Sequence, residues 1–343
     1  MAVTNTYGSI SEGVAGYSAR ELLNRGLPHM VARRFATTTN LPKNRGQVIK
    51  FRRYLNLAAA LSPIQEGITP DGQEIQFEDV YATLQQYGDL TTLTDVIADT
   101  HEDPVLDEYL DILAEQVKET FERLLLNLLK GGTTVFYAGT GTTRATVNGV
   151  IDRGDVRKVT RFLKKNRASM VTKINGATTK IATEPVRAGF FAIHHTDMEP
   201  DIRDMQDFID SENYANSNTA LETECGACHG VRFLSSELFD PFLAAATSAT
   251  GTTFLSNGAT VTAAAAPDVY PVIIFGKNAF GSVKLAGEST PNITPRVFNP
   301  GEATKEDPNG QRGVISWIGW DANAILNNTW MARVESACTA EPS

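Results

Sequence analysis

The chain has 343 residues, 42% hydrophobic and 21% charged, with a formal net charge of −9. That composition suits a folded protein of two or three packed modules and excludes disordered, collagen-like and wholly basic nucleic-acid-binding chains. No apolar run approaches the roughly 18 residues of a membrane-spanning helix. The N-terminus lacks a charged segment followed by an apolar one, and three cysteines make no disulfide framework. The expectation is a protein made in a reducing cytoplasm, with no membrane partner.

Residues 1–53 hold nine bases (Arg20, Arg25, Arg33, Arg34, Lys43, Arg45, Lys50, Arg52, Arg53) and two acids, whereas residues 54–117 hold no Lys or Arg and many acids, Glu66, Asp71, Glu74, Glu78 and Asp79 among them. Between copies of the chain, a basic segment on a neighbour's acidic one would steer assembly; within one copy the two are simply solvated faces. Residues 1–40 have weak periodicity, broken by Gly26 and Pro28, and read as an extended arm that needs a partner surface. "GQVIKFRRYLNL" reads as a strand. "TPDG" is a turn, in which Pro70 presets φ and Gly72 tolerates positive φ, and after it Ile75, Phe77 and Tyr81 share one face. Residues 46–90 therefore read as a long two-stranded excursion that must lie on something else, because an isolated hairpin is marginal in water.

Residues 103–130 carry the strongest helical pattern. Asp103 caps, Pro104 takes the first position, and Leu106, Leu110, Leu113, Val117, Phe121, Leu124 and Leu128 recur every three or four residues until Gly131 and Gly132. The spacing predicts a single-striped helix of roughly 40 Å. "YAGTGTTR" has Gly139 and Gly141 but Arg144 where a third glycine belongs, so it reads as a turn and not a phosphate loop. Residues 152–167 place seven bases, including Arg157, Lys158, Arg161, Lys164 and Lys165, around a stripe of Val156, Val159, Phe162 and Leu163. This basic amphipathic helix faces solvent, an acidic neighbour or DNA. "GFFAIHH" and "VYPVIIFG" read as buried strands. Asn257-Gly258 marks a hairpin in an Ala/Thr/Gly-rich stretch, and the end reads as strand, turn, strand.

No catalytic constellation converges, so the chain reads as a non-enzyme with no cofactor. His194 and His195 end an apolar strand, where a hydrogen-bonded structural histidine is common. Cys225, Cys228 and His229 in "ECGACHG" spell the haem-attachment pattern C-x-x-C-H. The polar flank before it argues against haem. His229 adjoins Cys228 and turns poorly to one zinc centre, which would also need Cys338, His194 or His195. Unpaired thiols are the remaining reading, and a haem- or metal-binding redox protein the functional alternative from another class.

Several stretches in order resemble one family: "LPKNRGQVIKFRRY", "SPIQEGITPDG" at Glu66, Gly67 and Pro70, "QQYGDLTTLTD", "AIHHTDMEPDIRD", "ECGACHGVRFLSS", "DPNGQRGVISWIGWDA" and "LNNTWMARVES". The chain resembles the N4-like family of tailed-phage major capsid proteins, which has the Hong Kong 97 phage capsid fold. The family pattern E-[IV]-G-x-x-x-G-V-R-F is matched by Glu224, Gly226, Gly230, Val231, Arg232 and Phe233, and Cys225 takes the aliphatic position. "SWIGWDA" departs from the family's more usual V-G-W-K.

The resemblance implies an α+β fold with an N-terminal arm (1–40), an E-loop hairpin lying over a neighbouring subunit (41–92), a peripheral domain (93–188) with a spine helix at 103–130, an axial domain (189–300), and C-terminal strands (301–343) returning to the peripheral domain. It implies a structural protein of the virion, assembled in the bacterial host cytoplasm. Copies join as hexamers and pentamers into an icosahedral head around double-stranded DNA, with portal and possible scaffolding or cement proteins as further partners. Contacts between subunits are expected at Arg33, Arg34, Arg52, Arg53, Glu66, Asp71, Glu74 and Glu78, and DNA-facing or inter-subunit contacts at Arg157, Lys158, Arg161, Lys164 and Lys165. The rival within the fold is an encapsulin-like bacterial shell, with protein cargo and no packaged DNA.

Overall fold

The structure, a computed structural model, describes residues 30–42, 44–61, 63, 66–67, 72–94, 105–175, 183–214, 221–246, 254–256, 259–261, 266–285, 293–298 and 307–340. Asp103, Pro104, Pro70, Asp71, Asn257, Gly258 and most of the arm lie outside these residues. The architecture is α+β: two mixed sheets joined by one long helix. The first sheet has the order β1 (Thr37–Leu41), β14 (Phe280–Leu285), β16 (Arg312–Ile325), β15 (Ile293–Phe298), with β4 (Gln85–Thr94) also paired to β16. The second runs β5 (Val135–Tyr137), β17 (Met331–Ser336), β13 (Tyr270–Phe275), β7 (Thr183–His194), β10 (Val231–Ser235), β9 (Glu224–Cys228), β8 (Ile209–Asp210), with β6 (Val171–Asn175) on β7.

The eight-stranded sheet is covered on both faces, which explains its continuous apolar strands. Phe191, Ile193, Ile273 and Phe275 point to one face, where they meet Leu125, Leu126 and Leu129 of α1 (Val105–Lys130) and the turn Ala32–Phe35. Phe190, Ala192, Val272 and Ile274, one residue out of phase, point to the other face and meet Val156, Val159 and Leu163 of α2 (Arg153–Lys165) and Ile202 of the short helix α3 (Glu199–Arg203). The period of two along each strand thus feeds two separate cores.

The same α1 helix also roofs the five-stranded sheet, through Leu113, Ala114, Val117 and Phe121 against Ile293, Ile315 and Trp317. Phe121 lies edge-on to Trp317, with ring centroids 5.7 Å apart. Gly319 makes room for it: a Cβ there would sit 2.7 Å from the Phe121 ring. The sequence stripe holds from Leu113 through Phe121 and then shifts. Leu124 and Leu128 are only half-buried, while Leu125, Leu126 and Leu129 are fully buried. The helix leaves one sheet there and meets the other, together with the arm turn, so a second face is covered.

Some boundaries differ from those drawn on the sequence. Strands β5 and β6 and helix α2, all before residue 189, belong to the eight-stranded sheet and its cover; β14 and β15 belong to the five-stranded sheet; and the C-terminal strands divide, β16 to the smaller sheet and β17 to the larger. Strand pairing over long separations sets these memberships. The excursion is β2 (Val48–Tyr54) against β3 (Phe77–Thr83), and it ends at buried Leu84, since β4 runs on within the body. Its alternation is as expected, but Ile75, Phe77 and Tyr81 are on the solvent face, whereas Ile49, Phe51, Val80 and Ala82 pack on the body.

The arm turn is clasped to α1 and β16 by buried polar groups. Glu122 is fully buried, and its Oε1 accepts the Ala32 N–H at 2.6 Å. Next to it Arg33, also buried, donates to Asp321 Oδ2 at 2.5 Å and lies 5.2 Å from the Phe121 ring centre. Burial pushes the Glu122 carboxyl up to about 7, against the pull of the Ala32 N–H and Arg33. The folded chain therefore keeps a proton that the unfolded chain loses, so this group's contribution to stability is complete below about pH 4.5 and is lost as pH rises to about 7. Glu122→Gln removes that loss. The variant is expected to melt about 3–5 °C above wild type at pH 8 and within about 1 °C of it at pH 4, in thermal unfolding of unassembled chains.

Candidate assembly surfaces

Hairpin β2–β3 lies on the body through Ile49, Phe51, Val80 and Ala82, and the described residues of the tip beyond it, 55–61 and 72–76, are exposed. Across it Arg52 pairs with Asp79, Nε to Oδ1 at 2.9 Å, Lys50 Nζ reaches Asp79 Oδ2 at 2.6 Å, and Arg53 pairs with Glu78. The Arg52 guanidinium also lies 4.2 Å from the centre of the Phe77 ring. The Arg52 and Lys50 hydrogen bonds hold the Asp79 carboxyl below its ordinary range. Beyond this ladder the tip exposes Tyr54, Leu57, Leu61 and Ile75, Leu61 at 89% and Tyr54 at 63%. Glu66 and Glu74 are exposed in the same tip, whereas Asp71 lies outside the described residues.

The expected set of inter-subunit charges therefore splits. Arg33 is a correction: with 9% of its side chain exposed and Asp321 beside it at 1%, it belongs to the interior of its own chain. Burial of a charge is tolerated only with such a partner. Arg34 is half-exposed, 4.0 Å from Glu222. Arg52, Arg53 and Glu78 are brought together, but in one hairpin of one copy.

Helix α2 starts at Asp152, whose side chain accepts the Asp155 N–H at 2.7 Å. Its buried stripe is Val156, Val159, Thr160 and Leu163, with Phe162 half-buried against Phe136. Arg157, Lys158, Arg161, Lys164 and Lys165 are all exposed, and Lys158 pairs with Asp155 at 2.9 Å.

The C-x-x-C-H stretch is a hairpin. Cys228 pairs with Val231 across the two-residue turn His229-Gly230, both at positive φ (48° and 82°), the conformation of a type I′ turn, in which glycine is favoured at the second position. A bulge opposite Phe233/Leu234 takes up Cys225. The three side chains diverge: Cys225 Sγ lies 3.7 Å from His194 Nε2, Cys228 Sγ 3.9 Å from the Gln206 carbonyl, and His229 Nε2 3.9 Å from Asp207. Such directions share no metal or haem-edge centre, and among the described residues no group of three metal-ligating side chains converges. What the motif does hold is an ion pair. Arg232 Nε donates to Glu224 Oε1 at 2.6 Å, with a second bond from Nη2 to Oε2, and Glu224 also accepts from the Tyr214 hydroxyl and the Leu221 N–H.

The "YAGTGTTR" loop spends its N–H groups internally, Thr140 on Asn148 and Thr142 and Thr143 on Thr146, and Arg144 binds Glu335 with two hydrogen bonds. His194 is buried on the His195 carbonyl, and burial lowers it to about 4. Burial, then nearby Glu199, pushes the Cys225 thiol up to about 11; burial raises Cys228 as well. Thiols this poor in thiolate react slowly. With Ellman's reagent at pH 8, all three cysteines are expected to stay largely unlabelled for minutes in the folded chain and to react fully within that time in guanidinium; fast native labelling would contradict the burial described.

A family model described as "Phage capsid protein" matches residues 77–332. No curated protein sequence matches the chain. Among solved structures, the capsid of Ralstonia phage GP4 is similar with a TM-score of 0.65 at 9% identity, over 92% of this chain and 91% of that one. The head structure of Helicobacter pylori bacteriophage KHP40 follows with a TM-score of 0.60 at 8% identity, over 91% and 89%. The holo-SrpI encapsulin complex from Synechococcus elongatus PCC 7942 has a TM-score of 0.52 at 12% identity, over 92% and 91%. At such identities the likeness shows the shared fold, that of the Hong Kong 97 capsid, and the family match over three quarters of the chain supplies the rest. The chain belongs to the phage capsid protein family: it is a major capsid protein, a structural component of the virion that assembles with copies of itself into capsomers.

Proposed function

We propose that hairpin β2–β3 is an E-loop whose tip lies on a neighbouring copy, locking hexamers and pentamers into an icosahedral head around double-stranded DNA. One observation carries this reading: the tip, beyond the paired residues 48–54 and 77–83, exposes Leu57, Leu61 and Ile75. Large aliphatic side chains gain about 1.5–3 kcal/mol each on burial, and in a protein that assembles with copies of itself the cover is another copy. The charges of the ribbon act differently. Arg52, Arg53 and Lys50 stiffen the hairpin through Asp79 and Glu78, so Glu66 and Glu74 are the hairpin charges left to meet a neighbour.

Under the same reading the five-stranded sheet with α1 forms the peripheral domain and the eight-stranded sheet the axial domain. Assembly takes place in the host cytoplasm, with a portal and any scaffolding or cement proteins completing the head. The family match favours a phage head over an encapsulin-like compartment, and nucleic acid inside purified particles is the observation that separates the two.

The triple variant Leu57→Ser, Leu61→Ser, Ile75→Ser tests the hairpin. Particle yield by negative-stain microscopy is expected to fall more than 10-fold, with the melting temperature of unassembled chains changed by less than about 2 °C, since these side chains are already in water. Normal particle yield from the variant would refute the E-loop role.

A further inference from the structure

We propose that the exposed face of α2 is the DNA-contacting surface of the shell interior, with Arg157, Arg161, Lys164 and Lys165 against phosphates. The inference rests on the capsid reading and names the part of the chain that meets the packaged genome.

These four side chains fall at positions i, i+4, i+7 and i+8, so they form one stripe along the helix, roughly 12 Å long at about 1.5 Å per residue. All four are exposed, and among the described residues none is ion-paired. Most other described cations have acids: Arg33 with Asp321, Arg52 with Asp79, Arg53 with Glu78, Arg144 with Glu335, Arg203 with Glu199. Other described cations outside these pairs, Arg45, Arg296 and Arg312 among them, are scattered over different parts of the fold, whereas these four share one face of one helix. The helix dipole accounts for Lys164 and Lys165 in the last turn but not for Arg157 or Arg161 nearer the middle.

A phosphate surface fits this face better than a second copy of the chain does. The stripe exposes no large apolar side chain, since Phe162 turns in to Phe136, and protein interfaces are depleted in Lys and built on apolar centres. The acidic stretch that a basic neighbour would seek is partly consumed, because Asp79 and Glu78 already bind Arg52, Lys50 and Arg53 in their own hairpin. A phosphodiester backbone asks for what α2 offers: sequence-independent cations exposed to solvent. The layering adds a direction. Helix α2 covers the face of the eight-stranded sheet opposite to α1 and the arm turn, so a shell that turns one of these faces outward turns the other inward.

The test uses the full-length chain, unassembled, with a fluorescent 25-base-pair duplex of arbitrary sequence and anisotropy read over a salt series. Arg157→Gln, Arg161→Gln, Lys165→Gln is compared with wild type and with a charge-matched control, Arg45→Gln, Arg296→Gln, Arg312→Gln. The α2 variant is expected to bind at least 10-fold more weakly at 50 mM salt, with the log–log salt slope reduced by about 2.7, or about 0.9 per lost phosphate contact; the control stays within about 2-fold of wild type. Equal losses in both variants, or none in either, overturn the proposal. So does capture of the duplex by closed wild-type shells in a way that the α2 variant abolishes, because the face would then lie outside. Particle formation, scored separately by microscopy, reads the capsid assignment: shells from the α2 variant with unchanged DNA affinity sink the proposal alone, whereas a wild-type chain that forms no shells sinks the reading beneath it.

Discussion

The fold depends on α1 being buried along two different faces. From Leu113 to Phe121 it presents one face to the five-stranded sheet, and from Leu125 to Leu129 another to the eight-stranded sheet. A helix of this length cannot rest on one small sheet throughout, so it serves as a beam between two. Each sheet alone has an apolar face open to water; the beam closes both. The arm turn then packs where the two meet, and the buried carboxylate of Glu122 holds the Ala32 N–H there. That contact has a cost, since a carboxylate in this position gives up its charge near neutral pH. The clasp is therefore sensitive to the solution in a way the apolar seams beside it are not.

Charge in this chain is used in three ways, and burial decides among them. In the interior, Arg33–Asp321 and Arg232–Glu224 are closed pairs, each group compensating the other where neither would survive alone. On the β2–β3 ribbon, Lys50, Arg52 and Arg53 against Asp79 and Glu78 are cross-strand pairs of modest strength that keep an otherwise marginal hairpin straight. On α2, Arg157, Arg161, Lys164 and Lys165 are left open, while Arg153 and Lys158 are paired. Large apolar side chains are exposed on the tip of the hairpin, beside Glu66 and Glu74, and none is exposed on α2. Under the proposed reading the first surface holds neighbours and the second meets a polyanion without gripping any particular sequence.

The C-x-x-C-H stretch shows how a cofactor-like spelling can arise from strand geometry. Its spacing follows from hairpin geometry. Glu224 and Arg232 sit across β9 and β10 to form their pair, His229 and Gly230 take the two positive-φ positions of the turn, and both cysteines are buried on the way, Cys228 in the apolar core and Cys225 beside His194. The family pattern shared by these residues is thus a description of a turn and an ion pair. The thiols are incidental to it, and burial keeps them in their unreactive form.

The local rules were legible from residue order. The 3.6-residue stripe marks α1, the continuous apolar runs mark β7 and β13, the basic amphipathic pattern marks α2, and the Asn257-Gly258 signal falls between paired β11 (Phe254–Ser256) and β12 (Ala259–Val261). These depend on neighbours a few residues apart. Tertiary structure alone decided what depends on distant partners. Asn175, Glu122 and Asp321 fix the arm turn from 139, 90 and 288 residues away, and no periodicity announces them. Arg33 looked like its neighbour Arg34 in sequence and became its opposite, because a carboxylate and an aromatic ring waited at its end of the turn. Which face of β3 is buried, and which sheet claims β14, β16 or β17, follows from the same cause: alternation tells that a strand has two faces, and only the body it lands on tells which of them is dry.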